Sequence, residues 1–210
     1  MNKRVALVTG ASHGIGQAIA IELANQGYDV GINYFKNEAG AAETLRLAEE
    51  AGAQGVLLQG SVANNDELSN IFHKFFEKFG TIDLMVNNAG ISKFYPFLEV
   101  SEAQWAEITN TDWKGAFFGT QFAARKMVEQ KKTGLILNIS SNHVDGCWPD
   151  ANVYGPTKAA LTKFGKNAAM ELAPYGIRII TLAPGYTDVG WPKDHPIQNV
   201  PPRLPLKRFA

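Results

Sequence analysis

The feature that most constrains this 210-residue chain stands near its start. A short apolar run, Val5-Ala6-Leu7-Val8, breaks directly into Thr9-Gly10-Ala11-Ser12-His13-Gly14-Ile15-Gly16. Apolar residues then recur at Ile15, Ile19 and Leu23, the four-residue step of a helix face. A strand that turns through glycines into a helix leaves unpaired amide N–H groups and a positive dipole end at the helix start, and the missing Cβ atoms let an anion approach the backbone. Glycines this close together are common. Placed between the first strand and first helix of an α/β pattern, they read as a phosphate cradle.

The pattern continues along the chain. Val30–Ile32, Val56–Leu58, Ile82–Val86, Leu135–Ile139 and Ile177–Leu182 lack polar alternation and read as strands buried on both faces. Between them lie helical stripes such as Leu68, Phe72, Phe75 and Phe79, widened by Ile71 and Phe76, which read as core packing. Strand–helix alternation predicts an α/β fold, a three-layer, doubly wound parallel sheet of the Rossmann type. With no internal repeat or linker, residues 1–210 are expected to form a single dinucleotide-binding domain. Six of the ten prolines fall at 184, 192, 196, 201, 202 and 205, so 183–210 reads as an irregular loop region.

Composition removes several function classes. Twenty basic and twenty acidic residues cancel, which argues against electrostatic nucleic-acid binding. No apolar run approaches the ~18 residues of a membrane span. One cysteine, Cys147, excludes an internal disulfide framework and fits a reducing, cytoplasmic setting. The histidines at 13, 73, 143 and 195 show no metal-ligand spacing, so no metal is expected.

Of six tyrosines, only Tyr154 has a lysine four residues on, Lys158. Residues Tyr154–Tyr175 read as a helix stopped by Gly176, with Pro156 tolerated in the first turn. An i, i+4 pair shares one helix face. An ammonium beside a phenol favours the phenolate and makes the tyrosine a usable acid/base near neutrality. Ser140-Ser141 closes the fifth apolar run, at the strand end where open α/β sheets bind ligands.

Taken together, T-G-x-x-x-G-x-G at 9–16, Asn87-Asn88-Ala89-Gly90 after the fourth strand, Ser141 thirteen residues before Tyr154, and Tyr154-x-x-x-Lys158 resemble the short-chain dehydrogenase/reductase family along nearly the whole chain. The resemblance implies hydride transfer between a nicotinamide and a secondary alcohol or ketone. Tyr154 is then the acid/base, Ser141 the hydrogen-bond donor to the substrate oxygen, and Lys158 the group that tunes Tyr154 and binds the nicotinamide ribose. It implies cofactor contacts from Gly10, Ser12, His13, Gly14, Ile15, Gly16, Asn88, Ala89 and Gly90, and from Tyr154 and Lys158. Pro184, Gly185 and Thr187 are implied beside the nicotinamide, and Ser61-Val62 stands where the family carries Asp-Val near the adenine. The carboxyl end of the second strand, Asn33-Tyr34-Phe35-Lys36, carries no acid, while Asn33, Lys36 and His13 could meet a 2′-phosphate. NADP is therefore expected in preference to NAD.

Two departures stand out. Asp112, bracketed by Trp105 and Gly115, occupies the place of the family's fourth catalytic residue, an asparagine; its carboxylate can accept a hydrogen bond from the relay water but cannot donate one. Asp112→Asn is accordingly expected to raise turnover. The chain also stops where one more helix and strand belong by resemblance, so the sheet is expected to lack them and the 210-residue chain to be incomplete as a catalyst, with the homo-oligomer expected only where that part is present. Residues 184–191 are similar to sugar-dehydrogenase-type members, and Asn142, His143, Trp148, Tyr186 and Trp191 are pocket candidates suited to a sugar or polyol. The alternatives are a 3-oxoacyl-carrier-protein reductase and a cofactor-binding protein with little or no turnover.

Overall fold

The computed structural model describes residues 3–190, 193–194, 196–200, 202 and 204–209. Six strands form one parallel sheet: β1 (Arg4–Val8), β2 (Tyr28–Tyr34), β3 (Gly55–Gln59), β4 (Leu84–Asn87), β5 (Gly134–Ile139) and β6 (Ile177–Leu182). Their order is β3-β2-β1-β4-β5-β6, so the chain reverses its direction of travel between β3 and β4 and leaves a crevice at the carboxyl ends of β1 and β4. The helices are α1 (Gly14–Asn25), α2 (Glu38–Glu50), α3 (Asn65–Phe79), α4 (Glu102–Thr109), α5 (Gly115–Glu129) and α6 (Tyr154–Leu172). All six predicted strands are present, and the long helix from Tyr154 ends in a 3₁₀ turn, Ala173–Tyr175, before Gly176 in the left-handed region at φ 71°.

The sheet separates two apolar layers. On one face small residues of α1 and α2, Ala20, Ala24, Ala41 and Ala48, lie against Val8, Val30 and Ile32. On the other, Leu68, Ile71, Phe72 and Phe75 of α3 and Ala123, Ala124 and Met127 of α5 cover Leu7, Leu58, Met85 and Ile136. The phenylalanine stripe is core packing, as its period suggested. A Cβ on Gly31 would sit 2.6 Å from the Phe75 ring, so the bulk of α3 is fitted to a gap in β2.

Two strand expectations need correction. The fourth strand starts at Leu84 rather than Ile82, because the Asp83 carboxylate takes the Val5 N–H at 2.8 Å and so sits at the strand's threshold. The sixth strand is not buried on both faces. It is a sheet edge, and Ile180 and Leu182, 46% and 51% exposed, face outward on the α1 side, where no described helix covers them. From 183 to 209 the described residues hold no strand and no α-helix, a short 3₁₀ turn spanning Pro196–Asn199. Among the described residues no helix is long and apolar enough to cross a membrane.

Candidate active site

The glycine-rich segment crosses the ends of β1 and β4 and is fixed by side chains that reach back into it. Thr9 Oγ1 donates to Val86 O (3.2 Å) and accepts the N–H groups of Asn88 and Ala89, both at 3.0 Å. Asn88 Nδ2 donates to Thr9 O (2.8 Å) and Gly10 O (3.1 Å). This close approach explains two glycines. Gly10 has φ 61°, and a Cβ there would lie 2.9 Å from Ala89 Cα. A Cβ on Gly16 would collide with Asn88 Nδ2 and Gly10 O. The two motifs read separately from sequence are thus one interlocked unit.

That unit presents the start of α1 with its amide groups free. The helices α2, α3 and α4 are each capped by a side chain, Asn37, Asn64 and Ser101. The α1 cap residue His13 makes no side-chain cap bond, so the first-turn N–H groups of Gly14, Ile15 and Gly16 are left for an outside acceptor. Gly14 has φ 58°, with Val189 of the 187–189 segment over it at 3.5 Å from a notional Cβ. A pyrophosphate fits this uncapped, glycine-lined end of α1. Ser12 is buried and its hydroxyl lies 3.2 Å from His13 Nδ1, while His13 itself is exposed.

Around the residues expected to meet the adenosine, the structure redistributes the contacts. Lys36 is exposed beyond β2, its ammonium 5.1 Å from the Phe35 ring centroid. Asn33, expected to donate to a 2′-phosphate, is instead enclosed. Its Nδ2 donates to Leu58 O (2.9 Å) and Gly60 O (3.1 Å), and its Oδ1 accepts the Gly10 N–H (3.2 Å). It staples β2, the β3 end and the glycine loop together. Ser61 N–H donates to Glu67 and its hydroxyl accepts the Ala63 N–H at 3.3 Å, closing the turn into α3, and Val62 is buried where α5 begins at Gly115. Asp29 lies at the opposite end of β2, accepting the Gln54 N–H at 2.7 Å.

The proposed reaction residues meet at the carboxyl end of β5. Ser140 faces inward: its hydroxyl donates to Lys158 O (3.1 Å) and lies 2.8 Å from Thr162 Oγ1. The chain then turns, so Ser141 Oγ lies 3.1 Å from His143 Nδ1 and accepts the His143 N–H at 3.3 Å. The His143 ring stacks on Trp148 at 4.1 Å and lies edge-on to Tyr154 at 5.2 Å, with Phe94 edge-on to Tyr154 from the other loop at 5.6 Å. Partial burial lowers the His143 pKa from its ordinary 6.5, so the imidazole is neutral at pH 7. Tyr154 and Lys158 are both buried on the first turns of α6. Lys158 Nζ donates to Ile139 O (3.1 Å) and lies 3.0 Å from Asp112 Oδ2.

Asp112 sits on neither α4 nor α5 but in a single wide π-type turn between them, Asn110–Lys114. Such turns swing one residue out of helical phase; here that residue is Asp112, which is 1% exposed. Its Oδ1 accepts the Ile91 N–H at 2.9 Å. Burial raises its carboxyl above the ordinary range, and the Lys158 ammonium and the Ile91 N–H oppose that rise without cancelling it. The spacing had placed Asp112 near the site, but not in contact with Lys158. Phe94 had no sequence signal at all, since loop residues obey no period.

On the remaining side, Asn142 N–H donates to Pro184 O at 3.0 Å, tying the turn after β5 to the Pro184-Gly185 segment. Thr187 Oγ1 donates to Gly185 O at 3.3 Å, and Tyr186 is half-buried. Trp191 and His195 lie outside the described residues. A cavity of about 600 Å³ runs between α1 and 187–189, beside the uncapped helix end.

Over residues 4–196 the chain matches the short chain dehydrogenase family. It is 36% identical over 210 residues to an uncharacterized oxidoreductase, YohF, of Escherichia coli K12, covering 99% of this chain and 83% of the relative. It is 35% identical to a 3-oxoacyl-[acyl-carrier-protein] reductase, FabG, of Staphylococcus epidermidis, covering 100% of this chain and 86% of that one. Among solved structures, acetoin dehydrogenase YohF from Salmonella typhimurium superposes with a TM-score of 0.92 at 31% identity, over 100% of this chain and 84% of the other. Acetoin dehydrogenase from Enterobacter cloacae gives 0.92 at 33%, with the same coverage.

Proposed function

Because the chain belongs to the short chain dehydrogenase family of oxidoreductases, we propose that it uses NADP in preference to NAD and interconverts a small ketone and its secondary alcohol. The observation that carries this reading is the cluster at the end of β5, where Ser141, His143, Tyr154 and Lys158 adjoin the cradle formed by α1 and Asn88.

A bound nicotinamide supplies or accepts the hydride. In the reducing direction Tyr154 gives its phenolic proton to the developing alkoxide, and Ser141 Oγ–H donates a hydrogen bond to the same oxygen. Lys158 has three N–H donors. Ile139 O takes one and Asp112 lies against another, which leaves the third for a ribose hydroxyl. Oxidation runs these proton movements backward. The cofactor preference rests on Lys36 and His13, exposed on the side where β2 ends, and on the absence of an acid within Asn33-Tyr34-Phe35-Lys36, the first acid after the strand being Glu38 at the start of α2; Asn33 no longer supports it.

The rings of Phe94, His143 and Trp148 beside Tyr154 favour a short substrate, and Asn142 and His143 offer polar groups to a neighbouring oxygen. A vicinal hydroxyketone, diketone or polyol fits this description, in keeping with the acetoin dehydrogenases among the structural neighbours. A 3-oxoacyl-carrier-protein reductase is the second reading, favoured by the FabG relatives. The groove between α5 and α6 lined by Phe117, Phe164 and the exposed Tyr175 supports a homo-oligomer. The test is a panel of diacetyl, acetoin, sugars and an acetoacetyl thioester with both reduced cofactors. Faster turnover of the small ketones with NADPH is expected. Equal or better use of NADH sinks the cofactor assignment, preference for the thioester favours the second reading, and cofactor binding without turnover of any substrate would leave a binding protein.

A further inference from the structure

We infer that Asp112 is a positioning residue whose charge holds the Lys158 ammonium, so that Tyr154 works beside a neutral lysine–carboxylate pair rather than beside a free cation. The inference rests on the reading of Tyr154 as the proton donor and adds a third member to its charge system.

The geometry is specific. Both partners are out of water, the Asp112 side chain 0% and the Lys158 side chain 5% exposed, with Nζ 3.0 Å from Oδ2. A carboxylate in such a place is costly unless it meets a cation and hydrogen-bond donors. Asp112 has one of each, Lys158 and the Ile91 N–H. Gly90 makes the contact feasible: a Cβ there would press against both charges from one side, 2.8 Å from Oδ2 and 3.2 Å from Nζ. The π-type turn brings the carboxylate inward, and the glycine that follows Asn88-Ala89 leaves room for it.

The consequence is electrostatic. A lone buried ammonium strongly favours a phenolate beside it; an ammonium already paired with a carboxylate favours it less. The other titratable groups packed around Tyr154 are His143, neutral at pH 7, from the turn after β5, and Tyr95 from the loop after β4. Glu107 on α4 is half exposed and held by Lys93 at 2.7 Å. Asp112 is thus the buried anion of the cluster, and removing its charge should move the working pH range of Tyr154 downward.

The test compares the parent protein with Asp112→Asn, which keeps an oxygen for the Ile91 N–H and loses only the charge. Alcohol oxidation needs the Tyr154 phenolate, so the rising limb of its pH profile should shift down by about one unit. Independently of turnover, the Tyr154 ring-carbon resonance of the cofactor-free protein, identified by its loss in Tyr154→Phe, should titrate at a similarly lower midpoint. An unmoved or higher midpoint in folded Asp112→Asn overturns the inference. Should that variant not fold, Asp112→Ser is read the same way, and failure of both to fold would assign Asp112 to stability instead. Full turnover by Tyr154→Phe would sink the reading of Tyr154, while the resonance would still decide whether Asp112 sets its charge environment.

Discussion

At the scale of single residues, the site depends on atoms whose roles can be separated. Tyr154→Phe removes the transferable proton and little else, since the ring contacts with Phe94 and His143 survive. Turnover should fall by about 10²–10⁴-fold, with reduced-cofactor affinity, followed by nicotinamide fluorescence, within a few-fold of the parent. Retained activity would remove Tyr154 from the mechanism. His143 offers a pH test. Its pKa in the folded protein lies below the ordinary 6.5 because burial disfavours the cation. The unfolded chain therefore binds its proton first as pH falls, and the stability that neutral His143 contributes is present above about pH 6.5 and lost as pH drops through the lowered value. In His143→Gln, thermal melts between about pH 7 and pH 5 should show a shallower acid loss than the parent. An unchanged slope would mean that His143 does not contribute.

At the scale of elements, the proposed cofactor cradle stands on buried polar staples rather than on glycine alone. Asn33→Ala would leave the Gly10 N–H and the Leu58 and Gly60 carbonyls without their partner. Unpaired buried groups cost about 1–3 kcal/mol each, so allowing for some relaxation the melting temperature should fall by roughly 5–10 °C. Reduced-cofactor affinity should fall with it, because the loop that presents the start of α1 is no longer pinned. Unchanged stability and affinity would show that Asn33 does not staple the loop. The sequence placed Asn33 correctly at the end of β2 but misjudged which way it works. The strand pattern locates a residue along the chain, whereas the partners of an amide are set by β3 and the glycine loop crossing over it.

At the scale of the whole molecule, two uncovered apolar patches lie against the sheet and its helices, among other exposed apolar side chains such as Phe97 and Leu98. Phe117 and Phe164 lie 4.9 Å apart between α5 and α6, lining a groove of about 500 Å³ with Tyr175, which is 55% exposed. Ile180 and Leu182 form the second patch, on the edge strand β6. If the α5–α6 face joins two copies, Phe117→Glu should lower the mass measured by sedimentation without altering the helical circular dichroism. An unchanged mass, or a parent that is already monomeric, would remove that face from consideration.

The sequence by itself determined the sheet, its layers and which residues stand as candidates for the reacting groups, because these are local or periodic properties. Apolar runs mark strands, four-residue steps mark helices, Tyr154 and Lys158 share one helix face, and glycines at a strand-to-helix turn are read from neighbours in the chain. What only the tertiary structure decided is how residues distant in sequence spend their polar groups. Asn88 fastens the loop of Gly10, Asn33 is used up inside the fold, and Asp112 reaches Lys158 across a π-type turn and past Gly90. The physical reason is the same in each case. A buried donor, acceptor or charge must find a partner, and the partner is chosen by which elements the sheet brings side by side, which no spacing along the chain encodes.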